Sequence, residues 1–156
     1  MLFRSALADP RSILGYLEFL MGGTVPTPFG GQLGAQSYSE LRFARNLALN
    51  EGELTILCSL APEGIFFDVG AHIGTWTVPL ALRYPHAQIH SFEGSPLTFT
   101  TLQKNIARDR ITNVTPIQAV ACNHSGTVSF QTPAPEGSVW GRISSTGNSR
   151  GRYTQA

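Results

Sequence analysis

Short apolar runs alternate with segments of helical spacing across the middle of the chain. The run Ile65-Phe66-Phe67-Asp68-Val69 is apolar apart from one carboxylate and leads into the turn Gly70-Ala71-His72-Ile73-Gly74. Such a run predicts a strand of a parallel sheet buried on both faces. Thr75 to Tyr84, with Trp76, Val78, Leu80, Ala81 and Leu82, predicts a helix packed back on that sheet, and Pro79 is expected to distort its first turns. Gln88 to Glu93 alternates as a strand does. Ser95-Pro96 then supplies an N-cap and a proline at the first helical position, with Leu97, Leu102 and Ile106 on the inner face of a helix reaching Arg108. A third strand over Val114 to Val120 and a short fourth over Gly126 to Phe130 complete the order β-α-β-α-β-β. That alternation implies a parallel sheet with right-handed crossovers and helices on both faces.

Upstream, the apolar stretch Ile13 to Met21 predicts a helical piece, and residues 22–37, dense in glycine and proline, a loop. Leu41, Ala44, Leu47 and Ala48 place a helix over Ser39 to Leu49, and Asn50 followed by Glu53 resembles a capping box opening a second helix through Leu54, Leu57 and Leu60. The chain thus divides into an N-terminal helical arm with its loop (1–49), an α/β core (50–130) and an irregular tail (131–156). No long apolar strand returns in the tail, so the sheet is expected to be incomplete at the C-terminus, with an exposed edge.

Composition narrows the partners. The 156 residues are 42% hydrophobic and 13% charged, an ordinary globular balance, and 11 basic against 10 acidic residues leave a net charge of +1. The basic excess of a nucleic-acid or anionic-membrane binder is missing, so neither partner is expected. Cys58 and Cys122 are too few and too far apart for a disulfide framework or a zinc site, and are read as buried thiols in a reducing compartment. The stretch Ile13 to Met21 is short, carries Glu18 and lacks a basic leader, which supports neither a signal peptide nor a membrane span. A cytoplasmic protein is expected.

The chemistry concentrates at the carboxyl ends of the first two strands, where open α/β sheets bind ligands. A dinucleotide pyrophosphate asks for G-x-G-x-x-G and free backbone N–H groups, whereas here Asp68 precedes Gly70-x-x-x-Gly74. An anion in that place opposes a pyrophosphate and attracts the sulfonium and α-ammonium groups of S-adenosylmethionine. Gly70 would let the backbone approach a ligand, and Gly74 would allow tight helix-on-strand packing. Glu93, at the end of the second strand, stands where an acid accepts hydrogen bonds from ribose hydroxyls. The competing reading of Glu93 is a turn carboxylate that caps the helix beginning near Pro96. His72 is read as a turn-stabilising residue rather than a general base, His86, His90 and His124 have similarly plain readings, and no metal site is expected. Trp76 is read as a packing residue and Trp140 belongs to the tail.

The segments FFDVGAHIGTWT, HSFEGSP and LQKNIARDRITNVTPIQAVACNHSGTVSF resemble the FkbM family of S-adenosylmethionine-dependent methyltransferases. The resemblance covers roughly residues 50–130. It implies a Rossmann-like, doubly wound α/β sheet of the class I methyltransferase type, with S-adenosylmethionine as cofactor and a small-molecule or glycan acceptor. It further implies that Asp68, Gly70, Ala71, His72 and Gly74 line the methionine side, that Glu93 holds the ribose, and that Ala121 and Cys122 lie near adenine. Gly94 stands where the family pattern has its first proline, and the family's later K-x-D-x-E-G strand has no counterpart, so no catalytic residue is assigned.

Three activities remain open on the sequence. The first is methylation of a hydroxyl on a sugar or small metabolite. The second is a catalytically silent protein that binds the cofactor, or whose exposed edge joins a partner chain or a second copy. The third is an NAD-dependent oxidoreductase, opposed by Asp68 and by the missing glycine fingerprint.

Overall fold

A computed structural model describes residues 10–48, 52, 59, 63–123, 126, 128–131, 142–143 and 152–153. The elements preceding the sheet are α1 (Pro10–Leu20), β1 (Val25–Pro26), β2 (Gln32–Leu33) and α2 (Tyr38–Ala48). The α/β unit follows as β3 (Ile65–Val69), α3 (Thr77–Arg83), β4 (Gln88–Phe92), α4 (Pro96–Arg108) and β5 (Val114–Ile117). Last come β6 (Val128–Gln131), β7 (Arg142–Ile143) and β8 (Arg152–Tyr153). The helix expected after Asn50 lies outside the described residues, apart from Gly52 and Ser59, which are helical. Cys58, His124 and Trp140 also lie outside them.

The strands β3, β4 and β5 pair in parallel in that order, with Phe66 opposite Ile89 and Ile89 opposite Val114. This is the βαβαβ arrangement of one half of a doubly wound, Rossmann-like sheet. Leu80, Ala81 and Tyr84 of α3 pack with Ile89 and Phe66, while Leu102 and Ile106 of α4 pack with Val114. Because Phe66, Ile89 and Val114 share a face, both helices cover the same side of the sheet. Ile65, Phe67 and Val69 point the other way and stay exposed, Phe67 stacking on His90 and Phe92. The expectation of helices on both faces is therefore met on one face among the described residues. The run has the continuous apolar composition of a strand buried on both faces, yet Ile65, Phe67 and Val69 are exposed, so here the apolar pattern does not report which faces are covered.

Other differences are local. Pro79 is the third residue of α3, where its missing N–H has no intrahelical acceptor to lose, so the helix accommodates it and simply begins at Thr77. Ser95 caps α4, its Oγ accepting from the Thr98 N–H, but Leu97 is exposed, and the inner face is formed by Thr101, Leu102, Asn105 and Ile106. The strand β5 stops at Ile117, three residues short of the expected end. Rather than extending the parallel sheet, β6 pairs antiparallel with β7 and β8.

The glycine- and proline-rich segment is more ordered than a loop. It forms the β1–β2 hairpin, buries Val25 and Leu33, and is tied to α4 by side chains. The central tie is Asn105, fully buried: its Nδ2 donates to the carbonyls of Gly34 (3.0 Å) and Ile73 (2.8 Å), and its Oδ1 accepts from the Gly34 N–H (2.9 Å) and Arg108 (2.7 Å). Asp109 accepts from the Gln32 N–H, and the Gln36 amide reaches Thr101. The arm is thereby fixed against the helix that borders the site.

Candidate functional site

The first strand-to-helix turn is built by backbone bonds across the sheet. The N–H groups of Gly70 and Ala71 both donate to the Phe92 carbonyl at 2.9 Å. Gly70 has a φ of +83°, and a side chain there would meet no atom within 4 Å, so its backbone faces open space. Gly74, at φ +96°, is the opposite case: a Cβ would come within 3.0 Å of Leu102 and 3.1 Å of Val78. One glycine leaves room above the turn and the other permits close packing beneath it. Ala71 and Ile73 are buried in the core.

Glu93 joins the two strand ends. One carboxylate oxygen accepts from the His72 N–H at 2.9 Å and the other from the Ser95 N–H at 2.8 Å. The cap-like geometry weighed from the sequence is thus present, with the Gly94 N–H a third neighbour of the carboxylate, which has about four acceptor positions. Burial pushes the Glu93 carboxyl above its ordinary range against the lowering by the Ser95 and His72 N–H groups, and the Asp68 charge pushes it further. Asp68 lies on the helix side of β3, where Thr77 Oγ1 donates to it at 2.5 Å; with Asp68 ionised, Ser91 Oγ donates in turn to Thr77 at 2.7 Å. Its carboxyl is likewise raised by burial, offset by those Thr77 bonds. The two acids therefore share one electrostatic neighbourhood, with Asp68 supporting the turn from below.

His72 occupies the left-handed region at φ +54°, where asparagine, aspartate and histidine are the non-glycine residues most often found. Its Nε2 lies 3.4 Å from Glu40 Oε1, its ring edge meets Phe43, and its Nδ1 is buried without a hydrogen-bond partner among the described residues. Glu40 and Phe43 belong to α2, and nothing in the sequence pattern ties them to residue 72. Burial and the Glu93 charge raise the Glu40 carboxyl, despite N–H donation from Gln36 and Ser37. Ala121 and Cys122 follow β5 at the same carboxyl end of the sheet and are exposed. The expectation of a buried Cys122 is corrected: β5 ends early, and the chain has left the sheet by residue 122. Among the described residues no group of three or more His, Cys, Asp or Glu could hold a metal ion, and no helix is long and apolar enough to cross a membrane.

No family profile matches the chain. It is 38% identical over 52 residues to the 31-O-demethyl-FK506 methyltransferase FkbM of Streptomyces tacrolimicus, covering 33% of this chain and 20% of that protein. It is 35% identical over 60 residues to Methyltransferase 1 of Beauveria bassiana, covering 38% and 23%. These relatives are methyltransferases. The chain spans only about a fifth of their length. Among solved structures, Trm5b from Pyrococcus abyssi overlays 61% of this chain and 27% of its own at a TM-score of 0.49 and 25% identity.

Burial holds the His72 imidazole down to about 4, from an ordinary 6.5, despite the neighbouring Glu40. Below pH 6.5 the unfolded chain takes up a proton that the folded chain refuses, so this residue's contribution to stability falls as pH drops toward 4. Relative to His72→Asn, which suits the same φ, the wild type is expected to lose about 2 kcal/mol between pH 7.5 and pH 5 in urea melts. A difference between the two proteins that does not change with pH would contradict the burial of a neutral imidazole.

Proposed function

We propose that this chain binds S-adenosylmethionine at the carboxyl ends of β3 and β4 and belongs to a methyltransferase acting on a hydroxyl of a sugar or small metabolite. The observation that carries the reading is the junction at Glu93, where one buried acid ties the Gly70–Gly74 turn to the start of α4. The residues suit the cofactor. Gly70 leaves space for backbone approach, and the neighbouring Asp68 and Glu93 carboxyls, when ionised, put negative charge beside the turn that complements a sulfonium and an ammonium group. In this reading Asp68, Gly70, Ala71, His72 and Gly74 serve the methionine portion, Glu93 the ribose, and Ala121 with Cys122 the adenine.

The cofactor supplies a methyl group on a sulfonium, transferred in line to a nucleophile, so the protein's task is mainly to hold two reactants in register. A hydroxyl acceptor is supported by the Streptomyces relative, which is named for 31-O-demethyl-FK506. Calorimetric titration with S-adenosylmethionine, S-adenosylhomocysteine and NAD tests the cofactor. The first two are expected to bind and NAD to leave them undisplaced. Binding of NAD alone would overturn the reading in favour of an oxidoreductase.

A further inference from the structure

An amphipathic surface helix ordinarily turns its apolar stripe toward the core. The stripe of α1 faces water. Ile13, Leu14, Leu17, Leu20 and the following Met21 recur at i, i+1, i+4, i+7 and i+8, so they line one side of the helix, and all five are exposed, from 37% for Ile13 to 79% for Met21. The side of α1 that meets the protein is formed instead by Gly15, where a Cβ would come within 2.9 Å of the Tyr38 hydroxyl, and by Tyr16, whose ring stands edge-on to Tyr38 at 5.5 Å. An ion pair of 3.1 Å between Glu18 and Arg45 ties the same helix to α2. The arm thus holds α1 with its apolar stripe outward.

The second apolar surface is the open face of the sheet, where Ile65, Phe67 and Val69 are 61%, 67% and 61% exposed. An uncovered sheet face is the surface on which α/β folds lay a helix. The two surfaces agree in size, since the 11 residues of α1 and the five of β3 each span about 16 Å. They agree in chemistry too, because none of these side chains is charged. Both are exposed in one chain, so they do not cover each other within a single copy. We propose that two copies of this chain pair by reciprocal exchange, α1 of each lying along β3 on the open sheet face of the other. Such two-fold pairing leaves neither surface over. The eight side chains, at roughly 100 Å² each, remove about 800 Å² per copy from water, the area that a stable interface takes. A membrane surface would take the stripe alone and leave the sheet face open.

The test is sedimentation of the full chain over a concentration series, with circular dichroism to check that each variant is folded. The wild type is expected to be a dimer of the 16.9 kDa chain. Leu17→Glu on α1 and Phe67→Glu on β3 should each weaken association at least about a hundredfold by placing a charge in an apolar contact. Leu17→Ser and Phe67→Ser, expected to weaken it about tenfold, serve if a glutamate unfolds the chain. Mixing Leu17→Glu with Phe67→Glu decides the geometry. The mixed pair keeps one intact contact, the helix of the Phe67→Glu copy on the sheet of the Leu17→Glu copy, so association returns in the mixture. A monomeric wild type, assemblies larger than two, dimers that survive Leu17→Glu, or no recovery on mixing overturns the proposal. Binding of a monomeric wild type to phosphatidylcholine vesicles, lost in Leu17→Glu, assigns the stripe to a membrane and overturns it as well.

Discussion

Glu93→Ala is expected to weaken S-adenosylhomocysteine binding about a hundredfold, and Glu93→Gln at least about tenfold, from the loss of charge-assisted hydrogen bonds worth about 1.5–3 kcal/mol each. The two variants separate the jobs that the structure gives this carboxylate. Alanine removes the acceptor of both the His72 and the Ser95 N–H groups, so the turn and the entry to α4 loosen together. That loss alone is expected to lower stability by roughly 2–6 kcal/mol, taking about 1–3 for each buried donor left without an acceptor. Glutamine keeps one acceptor oxygen for one of those N–H groups and loses the negative charge that favours a diol donating two hydrogen bonds. Binding is read by calorimetry and folding by urea titration on the same samples. Folded variants that bind with wild-type affinity would reduce Glu93 to a structural staple, and the ribose contact would have to be sought elsewhere.

The division between what the sequence reveals and what it hides follows the range of the interactions. Strand β3, strand β4 and helix α4 were legible because each depends on local signals: an apolar run, an alternation, and a Ser-Pro start whose Ser95 Oγ indeed meets the Thr98 N–H. The glycine turn was legible for the same reason, since Gly70 and Gly74 both need positive φ. What α2 contributes was hidden, because Glu40 reaches His72 only through a tertiary approach that no spacing encodes. The same holds for the open sheet face. Ile65, Phe67 and Val69 look like core residues in a string of letters, and only the placement of α3 and α4 on one side reveals them as exposed. The order of the 22–37 segment was concealed by its glycines and prolines, which break periodicity but do not prevent side chains elsewhere from bonding its backbone. Asn105, on the buried face of α4, performs that bonding while standing among Leu102 and Ile106, where the helical pattern alone suggests packing.

Asn105→Leu is accordingly expected to be the most destabilising single substitution in this region, by roughly 3–5 kcal/mol, a large share of the 5–15 that holds a domain folded. Leucine matches asparagine in shape but satisfies nothing. The Gly34 N–H, the Gly34 carbonyl and the Ile73 carbonyl lose their partner at once, and Arg108 loses its bond to Oδ1. Asn105→Asp offers a finer comparison, because a carboxylate still accepts from the Gly34 N–H and from Arg108 but cannot donate to either carbonyl. It turns two attractions into lone-pair repulsions within a fully buried site. Both variants should unfold at urea concentrations at least as low as those that unfold Leu102→Ala, a neighbouring cavity-forming substitution expected to cost about 2–5 kcal/mol by lost packing alone, if the bonds to the arm matter as much as the core. Hydrogen exchange at the Gly34 amide gives an independent reading where a variant is only marginally folded, since detachment of the arm exposes that N–H before the sheet opens. Retention of slow exchange at Gly34 together with a melt within about 0.5 kcal/mol of the wild type would show that Asn105 is an ordinary core position. In that event the arm would be held by apolar contacts such as Val25 and Leu33, and the approach of Glu40 to the glycine turn would lose its main structural cause.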